Sequence, residues 1–467
     1  MVEKTVYLGV SCCNKQSAPH QAWRDARIIS LIGLGFGDCG KGLYTDYLTR
    51  ELDAHTVVRF NGGGQAGHNV CLPDGRHHTF SQFGAGTFVP GVRTLLAYPV
   101  VVHPTALLVE CEWLKRVGVH DALDRLKIDS RCRVTTPFHQ AAGRLREIFR
   151  GTFAHGSCGV GVGETVGHGL QHPDLIVHFG DLAKPELIRD KLEAIRQNLL
   201  LSTEADAIAF IANDPAQKEL AILRDEHIVS RWVAQLAPLT RASCIAMSDE
   251  VATLLNRPGT VIFEGAQGML LDETYGFHPH TTWSDVTPSA AEAVASDAGF
   301  DGQLFHLGVM RTYLTRHGAG PLPTHDTALN TLSEAHNSGA GWQGEFRRGH
   351  PDAVLLRFAL AAAGRIDGLV TTHHDVFDRG IGLKWCPNYD SACVDFDLPL
   401  AASQNLEHQA RLTQALMTAT PRYDPVLINS SDAWRRRVED ATTLPVLLSA
   451  IGPTHVSVRT HQKALWV

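Results

Sequence analysis

The feature that most constrains this chain of 467 residues is a glycine-rich loop between two apolar segments. Residues 28–32 are typical of a buried strand, and residues 44–52 are typical of a helix. Five glycines lie within residues 33–42. Their backbone freedom allows a tight turn whose N–H groups converge, and the start of the helix adds partial positive charge. The pattern therefore predicts a site for a phosphate chain.

Two side chains in this loop carry charge. Lys41 supplies a positive charge for phosphates, whereas the carboxylate of Asp38 would repel them. Asp38 is therefore interpreted as a ligand of a divalent cation, or as the group that takes a proton from a second substrate. The loop is not the common P-loop, which has Ser or Thr after its lysine, because Gly42 follows Lys41. A glycine-rich surface turn is the alternative interpretation.

Two further segments run from a strand pattern into a glycine loop. Residues 57–68 end in Gly67 and His68, and residues 261–272 contain Gln267. With the first loop they resemble, in the same order, the motifs of the adenylosuccinate synthetases, which use GTP to join aspartate to inosine monophosphate. Later segments continue the resemblance, which extends to the end of the chain. These segments are residues 308–321, 372–378 and 452–453.

The order of apolar runs indicates the architecture. Short β-branched runs alternate with longer helical patterns, which predicts an α/β fold with a mostly parallel central β-sheet flanked by helices. The resemblance makes this sheet P-loop-NTPase-like, with helical insertions. We expect an N-terminal extension at residues 1–26 and a single adenylosuccinate-synthetase-like domain at residues 27–467. Within that domain, residues 183–255 are expected to form a helical insertion.

Composition and charge argue against several classes of protein. A net charge of −7 without a basic stripe argues against a nucleic-acid partner. No apolar run approaches the roughly 20 residues of a membrane span, and the short apolar patch at residues 6–10 is not a good signal peptide. The ten cysteines include no Cys-x-x-Cys pair, which favours free thiols over disulfides or a zinc site. We therefore expect a cytoplasmic protein.

The resemblance implies a two-step reaction, in which a lactam oxygen attacks the γ-phosphate of GTP and an amine then displaces phosphate. Asp38 resembles the catalytic aspartate, which accepts the ring proton and binds Mg²⁺, with the Gly67 carbonyl as a second metal contact. His68 resembles the histidine that, as an imidazolium, neutralises charge on the transferring phosphates. Gln267 resembles the glutamine that donates a hydrogen bond to the developing oxyanion.

The nucleotide site is implied in the same way. Asp375 resembles the aspartate that reads guanine, because a carboxylate accepts both N–H groups of the guanine edge and adenine lacks that donor pair. His373 stands where the family usually has a lysine, which weakens base stacking or loop support, and a preference for GTP over ATP is expected. The expected nucleotide contacts are Gly37, Gly40, Lys41, Gly42, Gly67, Asp375 and Gly452.

The acceptor site departs more from the family. Gln65 replaces an asparagine, Cys158 replaces a threonine, and residues 171–173 lack the arginine that reaches the acceptor's 5′-phosphate from the partner subunit. Glu345 occupies an arginine position of the amino-acid loop. These departures favour a specialised paralogue with a changed acceptor, a changed amine donor or both. The expected substrate contacts are Gln65, Cys158, Thr282 and Arg347.

Three functions are compatible with the sequence. The first is a GTP- and Mg²⁺-dependent C–N ligase that phosphorylates the lactam oxygen of inosine monophosphate or an altered acceptor, and replaces it with the amine of aspartate or another amino acid. The second is a GTP-binding regulatory homologue without catalysis, which Asp38 and Gln267 disfavour. The third is a nucleotide hydrolase or kinase, which Gly42 after the lysine disfavours. The family also implies a homodimer.

Overall fold

The computed structural model describes residues 19–207, 213–241, 243–332, 334, 337, 342–390, 398–400 and 405–461. Helices and strands alternate through most of these ranges. The helices are α1 (Pro19–Asp25), α2 (Lys41–Glu51), α3 (Pro104–Arg116), α4 (Pro137–Arg150), α5 (Val162–Gln171), α6 (Pro185–Ala207), α7 (Asp214–Arg224), α8 (His227–Gln235), α9 (Ala237–Arg241), α10 (Ser248–Asn256), α11 (Pro288–Asp297), α12 (Ala353–Ala363), α13 (Asp375–Asp378), α14 (Leu406–Thr418) and α15 (Ser431–Thr442). The strands are β1 (Ile28–Gly33), β2 (Thr56–Arg59), β3 (His68–Cys71), β4 (His77–Phe80), β5 (Arg93–Leu96), β6 (Val101–Val102), β7 (Leu126–Asp129), β8 (Arg133–Val134), β9 (Ile245–Ala246), β10 (Val261–Glu264), β11 (Phe305–Arg311), β12 (Leu314–His317), β13 (Phe346–Gly349), β14 (Gly368–Thr372), β15 (Asn388–Asp390), β16 (Thr420–Arg422), β17 (Val446–Ala450) and β18 (Val458–Thr460).

A large central sheet organises the described residues, with the strand order β18-β17-β14-β11-β1-β10-β2-β5-β7-β9. All neighbouring pairs are parallel except the edge pair β17–β18. In the middle of the sheet, Ile29 of β1 pairs with Ile262 on one side and Phe305 on the other. The strands β1 and β17 are buried along their whole length, which explains why apolar residues follow one another without alternation.

Helices cover both faces of this sheet. One face packs against α11, α12 and α15 through side chains such as Ala291, Phe358 and Trp434. The other face packs against α2, whose Tyr44 is fully buried. This arrangement confirms the predicted α/β class with a mostly parallel sheet between helical layers. None of the helices in the described ranges combines the length and the apolar character that crossing a membrane requires.

The described part of the predicted N-terminal extension, residues 19–26, and the predicted helical insertion both contact the central sheet or its core. Residues 1–18 lie outside the described residues, but Trp23 of α1 is only 1% exposed and packs into the core beside α2. The described residues within 183–255 contain α6 to α10. The same stretch contributes β9, which pairs with β7 at the edge of the central sheet. This segment is therefore mainly helical and includes one edge strand.

The sequence motifs follow the carboxyl ends of parallel strands. The loop with Asp38 follows β1, the loop with Gly67 follows β2, and the loop with Gln267 follows β10. Residues 373–375 follow β14, and residues 451–453 follow β17. The two neighbours of β1 in the sheet, β10 and β11, both come later in the chain, so the chain continues to opposite sides of β1. Ligands bind at such topological switch points in open α/β sheets.

Candidate active site

A cleft of about 1980 Å³ opens at the carboxyl edge of the sheet. Pockets for a single ligand have volumes of roughly 300–1,000 Å³, so this cleft has room for more than one substrate. The sequence-predicted residues that line it are Gly37, Asp38, Gly40, Lys41, Gly42, Gln65, Gly67, His68, Cys158, Gln267, Thr282, Asp375 and Gly452.

Arg347 has a different environment from the other predicted residues. Its Nη2 donates hydrogen bonds to the carbonyl oxygens of Gly318 at 2.6 Å and Gly320 at 2.8 Å. Burial lowers the pKa of this guanidinium. Arg347 therefore holds the turn that follows β12, and a contact of Arg347 with a substrate stays a prediction.

Three non-glycine residues of the cleft have left-handed backbone conformations: Asp38 with φ 46°, Gln267 with φ 52° and His373 with φ 63°. Such conformations cost of order 1–3 kcal/mol and cluster at functional sites. The start of α2 is constrained as well, because Gly40 has φ 93° and a Cβ there would lie 2.5 Å from Thr372. The glycine-rich loop of residues 33–42 therefore lies in close contact with the end of β14, and glycine is required at that contact.

Asp38 pairs with His317, a residue to which sequence reasoning gave no role. The Oδ2 atom of Asp38 lies 3.1 Å from Nε2 of His317, and the carboxylate remains 30% exposed to the cleft. Burial would raise the pKa of Asp38, but the hydrogen bond and charge of His317, with the charge of Arg311, lower it overall. Asp38 is therefore ionised at neutral pH, as a base or a cation ligand must be. The only sequence signal was a histidine inside a recognised motif.

The pairing predicts different effects for two substitutions of His317. His317→Phe should lower kcat by about tenfold, because a hydrogen bond to a charged group contributes roughly 1.5–3 kcal/mol. His317→Gln keeps an N–H donor and should retain most of the activity. Steady-state kinetics on both variants test this, with His325→Phe on the exposed surface as a control. Equal losses in the two His317 variants would show that the hydrogen bond to Asp38 has no role.

His68 forms a buried pair with Glu264, whose Oε1 lies 2.6 Å from Nδ1 of the imidazole. The other carboxylate oxygen of Glu264 accepts a hydrogen bond from the backbone N–H of Ala85. Burial lowers the pKa of His68 to about 4, although Glu264 acts in the opposite direction. The imidazole is therefore neutral at neutral pH before a ligand binds. The imidazolium expected during phosphoryl transfer stays a prediction.

Lys41 and Gln267 connect the loops after β1 and β10. The Nζ of Lys41 donates to the backbone carbonyl of Gln267 at 2.5 Å. Both polar side-chain atoms of Gln267, and Oε1 of Gln65, are buried without a hydrogen-bond partner in the described part of the chain. Leaving a buried polar atom unpaired costs about 1–3 kcal/mol. These unpaired amides therefore indicate positions where a ligand supplies the missing partners.

The residues expected to read the base lie together at the ends of β14 and β17. Asp375 begins α13, and its Oδ2 accepts a hydrogen bond from Arg379 at 2.7 Å. Gly452 and Pro453 line the same cleft. His373 accepts a hydrogen bond from Arg311, and burial together with the Arg311 charge holds the pKa of His373 well below its usual value. His373 is therefore neutral and does not replace the charge of the family's lysine.

Arg311 is the centre of a second network that the sequence did not reveal. Its guanidinium forms an ion pair with Glu334 at 2.8 Å and donates to Thr315. Burial would raise the pKa of Glu334, but Arg311 lowers it to about 2. Both residues line the cleft near Asp38. The Arg311–Glu334 ion pair therefore holds two charged side chains in place beside Asp38, the predicted base.

The donor set suits magnesium better than a transition metal. The described residues contain no group of three or more His, Cys, Asp or Glu side chains that could hold a metal ion. Asp38 supplies one carboxylate, and Gly67 lies in the same cleft. Mg²⁺ is commonly bound by one or two carboxylates, with substrate phosphates and water completing its shell. The residues present therefore fit Mg²⁺ bound together with a polyphosphate.

The comparison with known proteins decides the family. The family model described as adenylosuccinate synthetase matches residues 30–455. The chain belongs to the adenylosuccinate synthetase family. Adenylosuccinate synthetase of Neisseria gonorrhoeae is 30% identical over 449 residues, covering 92% of this chain and 97% of the relative. That of Vibrio parahaemolyticus is 30% identical over 456 residues, covering 91% and 96%.

Two solved structures show the same fold. The fully ligated adenylosuccinate synthetase from Plasmodium falciparum has a TM-score of 0.72 at 20% identity, covering 93% of this chain and 100% of that one. Succinoaminodeoxyadenylate synthetase of cyanophage S-2L, bound to dGMP and dATP, has a TM-score of 0.58 at 17% identity, covering 93% and 95%. The predicted family is confirmed, and with it the class of GTP-dependent ligases.

Proposed function

We propose that this protein is a Mg²⁺-dependent C–N ligase that uses GTP to phosphorylate the lactam oxygen of a purine-like acceptor and then replaces that oxygen with an amine. The supporting observation is the meeting of Asp38, His68 and Gln267 in one cleft, on the segments that follow the neighbouring strands β1, β2 and β10. Each residue type suits one part of that reaction.

Asp38 and Gln267 are proposed to activate the acceptor. The ionised carboxylate of Asp38 takes the proton from the ring N–H, so that negative charge develops on the lactam oxygen. The unpartnered Nε2 of Gln267 donates a hydrogen bond to that oxygen. A positioned base contributes about 10²–10⁴-fold to a rate, and one oxyanion donor contributes about 10²–10³-fold. Together they make the oxygen a nucleophile for phosphoryl transfer.

Lys41, the loop N–H groups and His68 are proposed to hold the phosphates. Lys41 lies at the N-terminus of α2, where the helix dipole adds positive charge. Because Nδ1 of His68 donates to the ionised Glu264, Nε2 can donate to the transferring phosphate only as the imidazolium, which the negative charge of bound phosphates would favour. Asp38 and the Gly67 carbonyl would hold Mg²⁺, which neutralises charge on the phosphates when it is bound.

The acceptor and the amine donor are proposed to differ from inosine monophosphate, from aspartate, or from both. Cys158 stands where a hydroxyl would bind phosphate, and burial raises the pKa of its thiol, so it remains neutral. A thiol is a weaker hydrogen-bond donor than a hydroxyl. Glu345 in the amino-acid loop would repel a second carboxylate of the donor if it faced the cleft. These changes support altered substrates on an otherwise preserved activation site.

A reconstitution with defined substrates tests this proposal. Purified protein is incubated with GTP, Mg²⁺ and pairs of acceptor and amine, the acceptors being inosine monophosphate and dGMP. We expect GDP, phosphate and a nitrogen adduct from at least one pair. Rapid conversion of inosine monophosphate and aspartate to the succinyl product would refute altered substrates. Release of GDP and phosphate without an adduct from any pair would instead support a hydrolase.

The guanine-reading role of Asp375 makes a separate prediction. Asp375→Asn should weaken GTP binding at least about tenfold and improve binding of xanthosine triphosphate, because an amide can donate to the xanthine carbonyl that replaces the guanine amino group. Calorimetric titration of both nucleotides measures this. Asp378→Asn, three residues later on α13, is the matched control. Unchanged GTP affinity in Asp375→Asn would place the base elsewhere.

A homodimer and a cytoplasmic location belong to the same proposal. Both are expectations from the family, and residues 171–173 offer no arginine to complete a partner's site. Analytical ultracentrifugation tests the first of them. A single species at the 50.9 kDa mass of one chain, at micromolar concentration, would contradict the homodimer.

A further inference from the structure

Arg133 is an arginine of the cleft that no described residue neutralises. It begins β8 and lines the cleft, and its side chain forms no hydrogen bond or ion pair within the ranges that the structure describes. Five other cleft arginines are engaged. They are Arg146 with Glu164, Arg150 with Glu147, Arg311 with Glu334, Arg379 with Asp375, and Arg316 with the carbonyls of His280, Ala319 and Pro321.

Backbone contacts place Arg133 beside the predicted acceptor residues. Arg133 pairs with Val101 of β6, and Val101 forms a bridge with Gly63. A Cβ on Gly63 would lie 3.0 Å from Oε1 of Gln65 and 3.0 Å from Val162. The unpartnered amide oxygen of Gln65 and the start of α5 therefore lie one strand away from Arg133.

The loop with Thr282 reaches the same α5 terminus. Trp283 follows Thr282 and would lie 3.2 Å from a Cβ on Gly163, the residue after Val162. Trp283 is half exposed and lines the cleft. The loop with Gln65 and the segment with Thr282 therefore both reach the N-terminal turn of α5, and Arg133 is connected to the first of them through Val101.

The carboxylate of Glu273, which also lines the cleft, forms no ion pair with Arg133. Burial raises the pKa of Glu273, and the charges of Asp272 and Asp285 raise it further, whereas Arg133 lowers it. The charge of Arg133 therefore acts on the pKa of Glu273, although the two side chains form no ion pair. A charged guanidinium on this wall therefore remains available to an anion from outside the chain.

We propose that Arg133 is a specificity-determining residue that binds a phosphate monoester on the acceptor. The planar guanidinium offers parallel N–H donors that match phosphate oxygens. Arg133 would supply from within the chain the positive charge that residues 171–173 lack. The inference rests on the proposed ligase function, because it assigns one group of that reaction's acceptor.

Binding measurements on matched ligand pairs test the assignment. Calorimetric titrations compare inosine monophosphate with inosine, and dGMP with deoxyguanosine, on wild type, Arg133→Met, Arg133→Lys and the exposed control Arg116→Met. We expect a wild-type preference for at least one nucleotide over its nucleoside, and a loss of at least about tenfold for that nucleotide in Arg133→Met. Arg133→Lys should recover part of the affinity, and nucleoside affinities should not change.

Each contrary result has a distinct meaning. The inference is overturned if Arg133→Met binds nucleotides like wild type, if wild type does not distinguish nucleotide from nucleoside, or if neither pair binds. It is also overturned if Arg133→Met weakens binding of L-aspartate instead, since Arg133 would then serve the amine donor. GTP is titrated in the same samples. Absence of GTP binding would contradict the proposed function itself. Normal GTP binding would mean that only the role assigned to Arg133 is wrong.

Discussion

Asp38→Asn is expected to lower kcat of the ligase reaction by roughly 10²–10⁴-fold. The amide cannot accept the ring proton, and it also weakens the site for Mg²⁺. The fold should tolerate the change, because Asn adopts the left-handed conformation found at Asp38 more readily than most residues do. Single-turnover measurement of GDP formation with saturating substrates gives the size of the effect. Affinity for GDP without Mg²⁺ should stay within about threefold of wild type.

Asp53→Asn is the matched control for Asp38→Asn. Asp53→Asn changes an exposed aspartate that also has a left-handed backbone, with φ 47°, outside the cleft. It should retain wild-type kcat and the same melting temperature. A kcat of Asp38→Asn within about threefold of wild type would show that Asp38 is not the base, since losing a general base has a much larger effect on kcat.

His68→Asn is expected to lower kcat by about 10²–10³-fold, the loss found when one donor to developing charge is removed. The shorter side chain no longer spans the distance between Glu264 and the transferring phosphate. Glu264 keeps its hydrogen bond from Ala85, so the protein should fold. Rapid-quench measurement of phosphoryl transfer separates this step from product release. His120→Asn, in an exposed loop, is the control.

A loss in His68→Asn that appears only in the KM for GTP would contradict this role. Such a result would mean that His68 binds ground state and transition state equally. Thermal melting of both variants distinguishes a chemical effect from partial unfolding. A melting temperature close to that of wild type, together with the lower kcat, supports the assignment.

The positions of the motifs were predictable because they depend on local sequence. Each glycine loop follows a short apolar run, and parallel strands bring such loops to one edge. The motifs therefore predict that Asp38, Lys41 and Gln267 share one site, and all three line the same cleft. The family and the α/β architecture follow from the same ordered motifs, and both are confirmed.

Partners that lie far apart in sequence were not predictable. The pairs His317–Asp38 and His68–Glu264 join residues of separate segments, and no local pattern specifies which segments become neighbours. The neutral state of His68 likewise depends on burial, which only the assembled site defines.

The substrate side shows the same limit of sequence reasoning. The motif predicts a substrate contact for Arg347 in the amino-acid loop, but it does not reveal the hydrogen bonds of Arg347 to the carbonyls of Gly318 and Gly320. Arg133 belongs to no motif, so no local pattern points to it. Its proximity to Gln65 arises only through the pairing of β6 with β8. Substrate-binding residues that depend on such pairings require the structure.

Isotope transfer from the acceptor to phosphate tests the central claim most directly. Inosine monophosphate or dGMP carrying ¹⁸O at the lactam oxygen is incubated with the protein, GTP, Mg²⁺ and an amino acid, and the released phosphate is analysed by mass spectrometry. Activation by Asp38 and Gln267 predicts one ¹⁸O atom in phosphate for each nitrogen adduct formed. Adduct formation with unlabelled phosphate, or GTP turnover with all label retained in both acceptors, would contradict it.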